Sequence, residues 1–124
     1  MKEIKYRAWE KKLKEMITVS TIDFRKGMIN TDSLWRYFHE VELMQFTGLT
    51  DKNGCEIYEG DIVRLRSYLQ EEIPDVIGRI RFERGSFYIY VDEFEKYNLD
   101  SLFMEIEVIG DIYENPELLK ENEK

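Results

Sequence analysis

One cysteine, Cys55, one histidine, His39, and two prolines are all that 124 residues contain of these types. A lone cysteine excludes a disulfide framework within the chain and fits a reducing compartment. One His and one Cys sixteen residues apart have none of the ligand spacing of a zinc site, so no metal is expected. No apolar run approaches the ~20 residues that span a bilayer. Met1-Lys2-Glu3-Ile4-Lys5 lacks the apolar core of a signal peptide. A soluble chain in the cytoplasm, with no membrane partner, is the expectation. Gly54, Gly60 and Gly85 stand singly, outside any GxGxxG or P-loop pattern, so no cofactor is expected.

Positive charge is also short. The net charge is −8, and it is uneven. Residues 1–40 carry nine Lys/Arg against six Asp/Glu, a net of +3; residues 41–124 carry nine against twenty, a net of −11. An acidic body weighs against non-specific DNA binding, which rests on neutralising phosphates.

Aromatic residues are plentiful: seven Phe, eight Tyr and two Trp, a composition that favours strands. Ile4 to Trp9 reads as a strand, Glu10 to Lys14 as a lysine-rich turn and Met16 to Phe24 as a second strand. Lys26-Gly27 marks a turn with Met28-Ile29 returning as a hairpin arm. Residues 30–40 fit either a helical turn or an aromatic loop, and Val41 to Phe46 alternates as a strand.

Met44 to Val63, MQFTGLTDKNGCEIYEGDIV, holds two closely spaced turns, Asp51-Lys52-Asn53-Gly54 and Glu59-Gly60-Asp61. Gly60 to Tyr68 is then a strand, with Ile62 joining Val63 and Leu65 at the barrel's edge. Gln70 to Asp75 is an acidic loop broken by Pro74. Val76 to Phe82 pairs with Ser86 to Val91 through Glu83-Arg84-Gly85. Asp92 to Ser101 is polar and is read as one helical turn. Leu102 to Tyr113 is a long strand with a bulge or sharp bend at Gly110. Asn115-Pro116 opens a short acidic helix with Asn as cap. Turn signals at this spacing, with no amphipathic helix between strands, predict a small antiparallel barrel rather than parallel βαβ units.

Three segments carry a family resemblance: Ile4-Lys5-Tyr6-Arg7-Ala8-Trp9, the TGLTDKNGCEIYEGDIV core within Leu43 to Val63, and Glu107-Val108-Ile109-Gly110-Asp111-Ile112-Tyr113-Glu114-Asn115-Pro116. In these the chain resembles the YopX family of phage and prophage proteins. They cover about a third of the chain, in order from end to end. The resemblance implies an all-β fold containing an SH3-like barrel, self-assembly, no established activity and the cytoplasm of a bacterial host. It supplies no catalytic residues.

A basic–aromatic stripe is the candidate interaction face. With Val63 and Leu65 inward, Arg64 and Arg66 point outward; with Ile80 and Phe82 inward, so do Arg79 and Arg81. Across the hairpin Phe87, Ile89 and Val91 face in, which leaves Tyr88 and Tyr90 outside. Arginine over tyrosine can stack a base or grip a peptide. The same pattern also describes ordinary cross-strand pairs on a wet face, or a subunit interface.

Glu56, Glu59 and Asp61 lack calcium-loop spacing and read as turn residues. Cys55 lies beside Glu56, whose charge raises a thiol pKa, so it is not read as a nucleophile. Leu34-Trp35-Arg36-Tyr37-Phe38 either closes one end of the barrel or forms a sticky patch.

The fold expected is all-β with minor α: N-terminal strands over residues 1–43 and an SH3-like barrel with a C-terminal helix over 44–124, or one domain over 1–124. The function expected is a non-enzymatic phage or prophage accessory protein that acts by binding or self-assembly. Its partners are a second copy, or a host or phage protein. The alternative is a single-stranded nucleic-acid module using the Arg/Tyr face, against which the acidic balance weighs.

Overall fold

The computed structural model describes residues 3–31, 34–68, 74–101 and 104–123. The chain is all-β and divides into two compact units, Met1–Phe46 and Thr47–Lys124. No helix among the described residues is long and apolar enough to cross a membrane.

In the first unit β1 (Tyr6–Glu10) pairs antiparallel with β2 (Glu15–Thr18) and with the first part of β6 (Val41–Thr50). Strands β3 (Thr21–Asp23), β4 (Met28–Thr31) and β5 (Leu34–Tyr37) form a separate antiparallel sheet with β5 at its edge. The long strand expected from Met16 to Phe24 is two strands, broken at Val19-Ser20, where Ser20 turns its backbone N–H and hydroxyl to Asn30 O. Residues 30–40 resolve into β4, β5 and a 3-10 helix, Phe38–Glu40. Ala8, Ile29 and Val41 make the buried core of this unit, with Ile17, Ile22 and Phe38 packed on it. Glu10 is 3% exposed beneath the β1–β2 turn and accepts the backbone N–H groups of Lys12 and Leu13.

The second unit contains a five-stranded antiparallel sheet curled as a half barrel. Its order is β11-β10-β9-β8-β12, built from β8 (Asp61–Ser67), β9 (Val76–Glu83), β10 (Ser86–Tyr90), β11 (Lys96–Asn98) and β12 (Met104–Asp111). The short β7 (Glu56–Tyr58) neighbours the end of β6. Alternation decides the inner face: Ile57, Val63, Leu65, Ile80, Phe87, Ile89 and Leu99 are buried together. Each such side chain contributes about 1.5–3 kcal/mol of transfer free energy. The register of β12 against β8 slips between Val108 and Gly110, the expected bulge.

Polar side chains staple the turns. Asp51, 8% exposed, accepts the N–H groups of Asn53 (2.9 Å) and Cys55 (2.8 Å) on Oδ1 and of Val108 (2.9 Å) on Oδ2. Buried Asp61 accepts the N–H of Tyr58 at 2.7 Å, so it shapes its turn as its sequence position suggests. Asp111 accepts those of Tyr113 and Glu114.

Several sequence expectations change. Phe82 shares the inner side with Phe87 (rings 4.9 Å apart), yet it is 44% exposed, because the core ends before the β9–β10 tip. Ile62 is fully buried but on the face opposite Val63, where it pairs with Arg79. The β9–β10 connection is a two-residue turn in which Arg84 (φ 52) as well as Gly85 (φ 83) is left-handed. The polar stretch Asp92 to Ser101 contains strand β11 and a 3-10 helix, Leu99–Ser101. The C-terminal segment Pro116–Glu123 is a 3-10 helix, and Asn115 Oδ1 accepts the N–H of Asp111 rather than one from the helix's first turn. Most of the acidic loop Gln70 to Asp75, and Leu102 of the last strand, lie outside the described residues.

Candidate functional site

The strand registers put all six candidate side chains on the outer face of the five-stranded sheet. Arg64 stands opposite Glu107 and Arg66 opposite Glu105 across β8–β12. Arg81 stands opposite Tyr88 and Arg79 opposite Tyr90 across β9–β10. Ile62 and Ile77 lie between the two groups on the same face and are buried, so the face is not one continuous wet stripe.

The β8–β12 group is internally compensated. Arg64 Nη1 donates to Glu107 Oε1 at 3.1 Å. Arg66 grips Asp75 with two parallel bonds, Nε to Oδ1 at 3.3 Å and Nη2 to Oδ2 at 3.1 Å. Lys52 Nζ reaches Glu105 and Glu107 at 3.9 and 3.8 Å. The hydrogen bond from Arg66 holds the Asp75 carboxyl below its ordinary range, and the same bond raises the Arg66 guanidinium. The crevice among these side chains is about 10 Å³, about one water's worth. Both arginines here are engaged in ion pairs.

The β9–β10–β11 group uses the tyrosines differently. The Arg81 guanidinium lies 4.7 Å from the Tyr90 ring centre, and Lys96 Nζ lies 4.6 Å from that of Tyr88. The Tyr90 hydroxyl donates to Glu83 Oε2 at 2.6 Å, and Lys96 Nζ reaches Glu83 Oε1 at 3.3 Å. The Tyr90 hydroxyl first, then Lys96, holds the Glu83 carboxyl low; Lys96 is raised by Tyr90 and then Glu83. Tyr88 and Tyr90 are therefore half-covered by cations of their own sheet.

Arg79 differs from the other three arginines. It is half-buried, and its Nε–H is buried without a hydrogen-bond partner. Burial, then the like charge of Arg81, lowers its pKa, with Tyr113 and Glu59 opposing. The group stays charged. Arg79 and Arg81 form one side of an open cleft of about 690 Å³, with Tyr90 between them and the loop Val91 to Phe94 opposite. The loop half of this cleft was not readable from alternation, because Asp92 to Glu95 is irregular; exposed Phe94 in a run of acids was the available signal.

The remaining candidates are dispersed. His39 is exposed and stacks on Tyr37, ring centres 5.5 Å apart and 11° from parallel. Cys55 is exposed. Among the described residues, no group of three His, Cys, Asp or Glu side chains is placed to hold a metal. The aromatic segment after residue 33 is an exposed sheet edge: Leu34, Trp35 and Tyr37 of β5 are 51%, 46% and 50% exposed.

The YopX protein family model matches residues 5–120. The chain belongs to the YopX family. Among solved structures, it is similar to protein EF1440 from Enterococcus faecalis, with 28% identity and a TM-score of 0.73 over 96% of this chain and 99% of that one. It shares the fold of protein yopX from Bacillus subtilis, with 24% identity and a TM-score of 0.66 over 96% of this chain and 97% of the other. Comparison with curated proteins gives no match.

Proposed function

We propose that this YopX-family chain is a non-enzymatic phage or prophage accessory protein that acts by binding in the cytoplasm of its bacterial host, as a homo-oligomer. The observation that carries the reading is the edge of the β3-β4-β5 sheet. Among the described residues strand β5 has a neighbour on one side only, and it presents Trp35 and Tyr37 along its length. Two backbone groups of β5 are already met, Tyr37 N–H by Glu40 Oε1 and Trp35 O by Arg36 Nη1, so the exposed rings carry the reading: Trp and Tyr are the residue types enriched in interface cores. Phe24, 79% exposed, adds to the apolar surface of the same sheet's loop.

Charge favours a second copy as the occupant. Residues 1–46 carry nine Lys/Arg against seven Asp/Glu, a net of +2, and residues 47–124 nine against nineteen, a net of −10, so the first unit of one molecule is attracted to the second unit of another. A head-to-tail contact of this kind closes into rings or extends into filaments. A host or phage protein with an acidic surface would satisfy the same chemistry.

Light scattering with cross-linking tests the proposal. The wild-type chain is expected to assemble at tens of micromolar, and the double variant Trp35→Ser, Tyr37→Ser to run as a monomer with unchanged circular dichroism. A wild-type chain that stays monomeric removes the proposal.

The nucleic-acid reading draws its support from Arg81 stacked over Tyr90. It is the weaker one, since Arg64 and Arg66 are engaged by Glu107 and Asp75, and Glu105 and Glu107 share their face. Filter binding at two salt concentrations separates the readings: phosphate contacts predict a steep fall with salt.

A further inference from the structure

The cleft between β9 and the Val91–Phe94 loop combines three features that the rest of the sheet face lacks. First, the Arg79 Nε–H is buried with no hydrogen-bond partner, and Glu59 and Tyr113 offset the desolvation of its charge only in part. An unsatisfied donor on a half-buried cation costs free energy, and an anion that pairs with the accessible part of the guanidinium offsets part of the cost of desolvating the charge. Second, the opposite rim is held in shape: Asp92 Oδ1 accepts the N–H groups of Phe94 and Glu95, both at 2.7 Å, and Val91 N–H donates to Glu95 O at 3.0 Å. That loop leaves the Phe94 ring 93% exposed at the mouth of the cleft. Third, the volume of about 690 Å³ falls within the range of small-ligand sites.

The charges select the ligand. Among the lining residues Asp92 and Glu93 on the loop balance Arg79 and Arg81 on the strand, and Glu59 adds a further negative charge near Arg79, so the cleft has no net positive charge. A polyphosphate or nucleic-acid backbone would meet the two carboxylates. A single carboxylate placed on Arg79 avoids them, and an apolar group next to it reaches Phe94 and Leu119. Guanidinium and carboxylate match in shape and can pair with two parallel bonds.

We infer that this cleft binds a peptide-type monocarboxylate that carries an apolar or aromatic neighbour, with the carboxylate on Arg79 and the apolar group against Phe94 and Leu119. The source is a chain terminus or an acidic side chain beside an apolar residue, since both present this chemistry. The site lies wholly in the second unit and stands whether or not the first unit mediates assembly.

The test uses the full chain labelled with ¹⁵N and follows the arginine Nε–H resonances. N-acetyl-phenylalanine is expected to shift the Arg79 resonance saturably, and N-acetyl-phenylalaninamide, without the charge, to bind at least about tenfold more weakly, equivalent to 1.4 kcal/mol. N-acetyl-aspartyl-phenylalaninamide distinguishes the side-chain source from the terminal one; binding by either acid supports the site. Inorganic phosphate is expected to bind more weakly than the acid. Phe94→Ser, at a fully exposed position, is expected to weaken the acid several-fold without loss of fold, and Arg79→Gln to abolish saturation. No saturable shift with either acid, equal binding of acid and amide, equal binding of phosphate, or unaltered binding to Phe94→Ser each overturns the inference.

Discussion

Replacing Asp51 should reveal the largest single polar contribution to the second unit. The carboxylate is 8% exposed and accepts three backbone N–H groups, two from its own turn and one from Val108 on β12. Burial pushes its pKa up, but the N–H groups of Val108, Cys55 and Asn53, with Lys52 beyond them, outweigh it and hold the carboxyl below its ordinary range. Hydrogen bonds to a charged group are worth about 1.5–3 kcal/mol each and are not additive. Asp51→Asn keeps one acceptor oxygen for Asn53 and Cys55 but turns an amide N–H₂ toward the Val108 N–H, so we expect a loss of ~2 kcal/mol; Asp51→Ala strands all three donors and should lose ~3 kcal/mol. The sign with pH follows from the direction of the shift. A lowered folded-state value means the stabilisation is complete above the unfolded value, about 3.9 for Asp, and is lost as pH falls through the folded value. Urea unfolding at neutral and acid pH, read by far-ultraviolet circular dichroism, measures this; both tryptophans lie in the first unit and would miss it. The gap between wild type and Asp51→Asn should shrink as pH falls below about 4. A gap below ~0.5 kcal/mol at neutral pH, or one unchanged in acid, refutes the reasoning.

Two further substitutions test backbone geometry. A Cβ at Gly78 would sit 2.7 Å from Ile89 Cγ2 and 2.8 Å from the backbone O of Tyr90, so Gly78→Ala should force β9 from β10 and cost ~2–3 kcal/mol in urea unfolding. Arg84 holds φ 52 in the β9–β10 turn, where Asn is preferred before Gly85; Arg84→Asn should raise stability by ~0.5–1 kcal/mol, seen as a higher melting temperature. A stable Gly78→Ala protein or a destabilised Arg84→Asn protein would contradict the turn and packing geometry described.

Much of the fold was legible because period-two alternation is a direct consequence of strand geometry. Val63 and Leu65, Ile80, and Phe87 and Ile89 announce the inner face, and all are buried. The irregular pieces were not legible. Strand β11, Lys96-Tyr97-Asn98, is three residues long and polar on its flanks, so nothing separates it from a loop until β10 is there to pair with it. The break at Val19-Ser20 depends on a bond to Asn30, a partner ten residues on. The face that Ile62 takes is not legible, because the apolar pair Ile62-Val63 breaks the alternation, and only the register with Arg79 decides it.

The candidate face shows the same limit more sharply. From sequence, Arg64, Arg66, Arg79 and Arg81 are four equivalent outward positions. The register with β12, forty-three residues along from Arg64 to Glu107, neutralises the first of them, and Asp75 takes the second. The alternation Glu105-x-Glu107 against Arg64-x-Arg66 was a readable signal for this ladder once β8 and β12 were taken as neighbours. Arg79 and Arg81 have no such acidic strand beside them, so β10 offers tyrosines instead. The two halves of the face therefore differ in kind. One is a structural ion-pair lattice that ties β12 to β8, next to the Lys52 N–H bond to Ile106 O and the Val108 N–H bond to Asp51 that join the turn after β6 to β12. The other retains a charged group with an unmet hydrogen bond and an exposed ring across from it. The segments that carry the family resemblance, 44–63 and 107–116, supply the first half's clamp to β12. The cleft is built mainly from 79–94, between them. The closure of the sheet on its last strand thus draws on these segments, and the cleft proposed above as a binding site is built from the residues between them, still within the stretch 5–120 that the family model matches.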